Sequence, residues 1–102
     1  MKLLKKDGMK EFMGTVEKEI LLIAQEECAE VTQAISKVFR FGFDSRYPNS
    51  DSQTNKEKFE EEIGDLLAMV DVLTEKCIIS DGNINSARKM KRQKLALWSS
   101  LK

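Results

Sequence analysis

Five acidic residues in this sequence stand at spacings that could do chemistry. Glu26, Glu27 and Glu30 form one group, and Glu62 and Asp65 form a second about thirty residues later. Residues three or four apart are neighbours on a helix surface, so each group would present an acid pair on one face. At about 100° per residue, Glu27 falls about 20° from Ile20, inside an apolar stripe, and Glu30 sits at the rim of that stripe. Glu62 lies in line with Met69 at the edge of the second stripe, and Asp65 shares a face with Val72. A carboxylate directed into a core is costly unless it is paired or binds a metal. Four of them brought together cannot all stay ionised without a cation. Oxygen donors alone select a hard ion, so Mg²⁺ is expected, with Mn²⁺ as the alternative.

The sequence contains no histidine. That excludes Ser-His-Asp and Cys-His machinery, His-ligated zinc and the Glu-x-x-His di-iron bundles. Cys28 and Cys77 form neither a disulfide framework nor a zinc pattern, and each falls near an apolar stripe, where a small buried hydrophobe is expected.

The elements that must position the acids are helices. The first is expected from about Thr15 to Arg40, with a possible earlier start near Met9. Ile20, Ile23, Ala24, Val31, Ala34, Ile35 and Val38 recur along it at helical spacing. Gly42, within Phe41-Gly42-Phe43, is available for a left-handed cap. A loop from Asp44 to Gln53 contains Pro48. Thr54 and Glu57 have capping-box spacing for a second helix, which runs to about Cys77 on Phe59, Ile63, Leu66, Val70, Leu73 and Cys77. Cys77-Ile78-Ile79 is a weak strand candidate. Ser80-Asp81-Gly82-Asn83 reads as a turn, and a third helix follows to about Ser99.

With 102 residues, 41% apolar and 33% charged, the chain makes one domain of modest core. The expected fold class is all-α: about three long helices per chain, with a four-helix core completed by oligomerisation. Residues 1–14 are read as an N-terminal extension and 15–102 as the domain. No leader or ~20-residue apolar span is present, which points to a cytosolic protein with no membrane partner. Net charge is zero, but after Asp81 only basic charges follow: Arg88, Lys89, Lys91, Arg92, Lys94 and Lys102. An acidic middle and a basic tail suit an anionic ligand bridged by a cation. A nucleic-acid partner is not expected, since it would require many basic contacts to phosphates.

Glu26-Glu27-Cys28-Ala29-Glu30 followed by Glu62-Ile63-Gly64-Asp65 resembles the E-E-x-x-E … E-x-x-D signature of the MazG-like all-α nucleoside triphosphate pyrophosphohydrolases. Ala34-Ile35-Ser36-Lys37, Arg40-Phe41-Gly42 and Glu61 to Leu67 are similar to small phage and bacterial members. The resemblance covers roughly residues 15 to 95. Near the end of the last helix, where many relatives carry Lys and then Tyr, this chain has Lys91, Lys94 and Trp98. The resemblance implies homodimers or homotetramers that convert a nucleoside triphosphate and water to the monophosphate and pyrophosphate. It implies Glu27, Glu30, Glu62 and Asp65 as Mg²⁺ ligands, and Glu26, the first acid of the motif, as the residue that activates water at the α-phosphate or holds a second metal. Lys37, Arg40, Lys91 and Lys94 are the expected phosphate contacts. Two alternatives stay open: a phosphoribosyl-ATP pyrophosphohydrolase-like enzyme, and a non-catalytic helical dimerisation module.

Overall fold

A computed structural model of the chain describes residues 14–46 and 53–101. The N-terminal extension, the possible helix start near Met9, and Pro48 lie outside these residues. Three helices follow in order: α1 (Thr15–Phe41), α2 (Asn55–Glu75) and α3 (Asp81–Trp98). Among the described residues the one β-type pairing is an isolated antiparallel bridge between Arg46 and Thr54, so the fold is all-α as expected. No helix of the described residues is long and apolar enough to cross a membrane.

Local chemistry sets the helix ends. Glu17 reaches back to accept from the Gly14 N–H at 2.6 Å. The capping box of α2 is closed in both directions: Glu57 Oε1 accepts from the Thr54 N–H at 2.9 Å, and the Glu57 N–H donates to Thr54 Oγ1 at 3.1 Å. Such reciprocal bonds satisfy donors that the first turn leaves orphaned. Ser80 caps α3 by accepting from the Asn83 N–H at 3.2 Å, so the expected turn at Ser80 to Asn83 is already the start of a helix.

The weak strand candidate at Cys77 to Ile79 is instead a helix stop. The Ile78 N–H bonds the Leu73 carbonyl and the Cys77 N–H bonds that of Thr74. These are the two bonds of a Schellman motif. Cys77 fills its left-handed position, at φ 59°, which glycine ordinarily takes. Both cysteines are exposed, against the expectation of burial. Cys77 is carried outward by this turn, and Cys28 follows Glu27 around the helix to the solvent side.

Two compact units divide the chain, one ending at Asp71 and the other beginning at Val72. In the first unit the connection between α1 and α2 is stitched at its base. The Asn55 N–H donates to the Ser45 carbonyl at 2.8 Å, and the Lys56 N–H donates to that of Phe43 at 2.9 Å. Asn55 is buried, and its side-chain amide reaches the Gly42 carbonyl at 3.1 Å. Gly42 has positive φ as expected, but φ 87° and ψ 166° are not the left-handed helical cap. The extended ψ turns its carbonyl toward Asn55. The end of α1 is thereby tied to the start of α2, and the two helices run antiparallel.

The inward line of α1 is Ile20, Ala24, Glu27, Val31, Ala34 and Val38, all buried or half-buried. Ile23 and Ile35, expected in the stripe, are more than a third exposed. The inward line of α2 is Asn55, Phe59, Glu62, Leu66, Met69 and Leu73. Both lines step by four and three residues, the spacing of a narrow helix–helix seam. Each seam has one acidic residue in it.

Candidate metal centre

Those two acids meet. Carboxylate oxygens of Glu27, Glu62 and Asp65 lie within 4.8 Å of one another. Glu27 comes from the middle of α1, and Glu62 and Asp65 come from consecutive turns of α2. The antiparallel pairing of the two helices sets them opposite. The three differ in environment: Glu62 is buried, Glu27 is half-buried and Asp65 is exposed.

The position of Glu62 differs from the sequence expectation. A place at the edge of the apolar face was expected, yet the residue is only 4% exposed. Its neighbour one turn back explains how a charge can be there. Lys58 Nζ lies 3.2 Å from Glu62 Oε2 and 3.5 Å from Glu61 Oε2. Glu61 also accepts from the Gln53 side-chain amide at 2.7 Å. Lys58 was not among the residues singled out from the sequence; its i, i+4 spacing to Glu62 was the available signal.

Electrostatics at Glu27 record the crowding. Its carboxyl is held above the ordinary range, first by burial and then by the charges of Asp65, Glu62, Glu30 and Glu26. Repulsion among carboxylates and loss of water both favour the protonated form. Glu30 and Glu26, both exposed, therefore contribute to the field at Glu27 while standing outside the trio.

The donor set fits a hard divalent ion. Oxygens about 2.1 Å from Mg²⁺ at opposite corners of an octahedron are about 4.2 Å apart, and a larger ion widens that span. Oxygens already within 4.8 Å need only small side-chain rotations to reach this. Three acids set this close together repel one another, which is the condition a cation relieves.

The expected phosphate contacts are more dispersed. Lys37 is half-buried, ten residues beyond Glu27 on α1, or about 15 Å along the axis. Arg40 is exposed and stacks its guanidinium 5.0 Å over the Phe41 ring. Lys91 and Lys94 are exposed on α3, in the second unit.

An antiparallel α-helical pair with two carboxylates in its seam and a third at the rim defines an all-α protein with a candidate divalent-cation centre. Residues 15–93 match the model of the MazG nucleotide pyrophosphohydrolase domain. The chain belongs to that family, which suggests a nucleotide pyrophosphohydrolase. No curated protein and no solved structure matches the chain significantly.

Proposed function

We propose that this chain hydrolyses nucleoside triphosphates or deoxynucleoside triphosphates to the monophosphate and pyrophosphate, with Mg²⁺ as cofactor. The observation that carries the reading is the trio of Glu27, Glu62 and Asp65 within 4.8 Å, in a chain that belongs to the MazG family. Glu27, Glu62 and Asp65 hold the ion, and Glu30, one turn from Glu27, is the fourth ligand. When bound, the ion neutralises phosphate oxygens and lowers the pKa of a coordinated water. Glu26 accepts the proton of the water that attacks the α-phosphorus. Lys37 and Arg40 on α1, with Lys91 and Lys94 on α3, bind the phosphate chain. Such an enzyme belongs in the cytosol, where its substrates are.

The working form in this reading is a homodimer or homotetramer. Among the described residues only Ile20, Ala34 and Leu73 are buried apolar residues. Leu22, Phe39 and Trp98 are 60–85% exposed. A core this small is a poor basis for stability in a single chain, and helix pairing with a second copy would enlarge it. Light scattering at nanomolar concentration tests this; a stable, active monomer would count against it.

The deciding experiment is a panel of NTPs, dNTPs and phosphoribosyl-ATP with Mg²⁺, scored for pyrophosphate against orthophosphate. Pyrophosphate release that stops in excess EDTA is expected. Turnover in EDTA removes the metal mechanism. Absence of both turnover and divalent binding leaves the dimerisation module as the better reading.

A further inference from the structure

We propose that Lys58 is a tethered counter-ion of the acid cluster, which neutralises Glu62 when no metal is bound and thereby sets how tightly the cluster holds a divalent ion. The proposal rests on the metal reading above and deepens it.

Glu62 is the single buried acid among the described residues. A buried carboxylate is tolerated only with a partner, and the partner is Lys58 at 3.2 Å. Helix stability alone accounts poorly for that lysine. It stands in the first turn of α2, where the macrodipole disfavours a cation. It also precedes the glutamate it pairs with, the weaker order for an i, i+4 ion pair. The contact to Glu61 at 3.5 Å draws the ammonium toward the rim, and the Lys58 side chain keeps 30% of its exposure. Lys58 is thus a charge leashed to the edge of the cluster, with one hand on a cluster ligand.

A divalent ion on Glu62 would share that carboxylate with the ammonium. Two cations about 5 Å apart, one of them doubly charged, repel even at the dielectric of water by an amount worth on the order of tenfold in affinity. Lys58 therefore has two separable effects: it stabilises the metal-free fold and it weakens metal binding. A mere structural brace has only the first effect, because its loss would disorder Glu62 and leave metal binding unchanged or weaker.

The test uses the full chain freed of metal, with Mn²⁺ titrated by electron paramagnetic resonance and melting followed by circular dichroism in EDTA. Lys58→Met should lower the metal-free melting temperature by about 5–10 °C and tighten Mn²⁺ binding about tenfold. Lys58→Arg, which keeps the charge, should restore both values toward wild type. If Lys58→Met does not fold, Lys58→Gln reads the same change. Mn²⁺ affinity that is unchanged or weaker in the neutral variant overturns the counter-ion role and leaves the metal reading standing. A wild-type chain with no saturable Mn²⁺ site overturns the metal reading, and this proposal with it.

Discussion

The buried side-chain amide of Asn55 donates to the Gly42 carbonyl at 3.1 Å, across the full length of the connection between α1 and α2. This bond couples the position of one helix along its axis to the other, and so helps set Glu27 opposite Glu62 and Asp65. Asn55→Ala leaves the Gly42 carbonyl without that donor. A loss of about 1–3 kcal/mol is expected, read by urea unfolding, together with weaker Mn²⁺ binding because the register of the acids loosens.

Backbone conformation gives a pair of opposite predictions. Gly42 has φ 87° and ψ 166°, and an added Cβ there would meet nothing within 4 Å. The cost of Gly42→Ala is therefore torsional, about 1–3 kcal/mol. Cys77 already bears the left-handed strain, at φ 59°. Cys77→Gly should raise stability by about 0.5–1 kcal/mol. Thermal melting of the two single variants checks both signs.

Glu27→Gln keeps the shape of the side chain and removes one charge from a crowded seam. The melting temperature of the metal-free protein should stay the same or rise. Mn²⁺ affinity and pyrophosphate release should both fall, since a hard cation loses a charged oxygen. Glu61 is exposed and faces Lys58 and Gln53, so Glu61→Gln should retain activity. Activity lost in Glu61→Gln but kept in Glu27→Gln would overturn the assignment of ligands.

The same crowding has a pH signature. Glu27 is raised above its ordinary value of 4.5 by burial and by its acidic neighbours, so between the two values the folded state binds more protons than the unfolded one. Metal-free stability should therefore rise as pH falls from neutral through the raised pKa of Glu27. Glu57 and Glu61 act in the opposite direction. Glu57 is lowered chiefly by the Thr54 N–H and Glu61 chiefly by the Gln53 amide. Their contributions are present above the ordinary value and are lost as pH falls through their lowered ones. Melting against pH in EDTA should pass through a maximum on the acidic side of neutrality, and Glu27→Gln should flatten its approach from neutral pH.

Local signals carried the helices. Thr54 with Glu57 marks a helix start by bonds that span only three residues, and such bonds follow from residue type and order; the equally local bond of Ser80 to the Asn83 N–H falls where the sequence reads as a turn. The acid spacing likewise placed Glu27 in the seam of α1, because Ile20 and Ala34 lie one heptad to either side of it. Tertiary structure decided the rest. The stitching of Gly42, Phe43 and Ser45 to Asn55 and Lys56, together with the packing of the two apolar lines, brings two acids of α2 to one of α1. Periodicity describes each helix separately and says nothing of their relative slide. Glu62 reads as a rim residue from its alignment with Met69 along one helix. Its burial depends on the ammonium of Lys58 at 3.2 Å, a pairing that residue spacing permits but only the packed helices require.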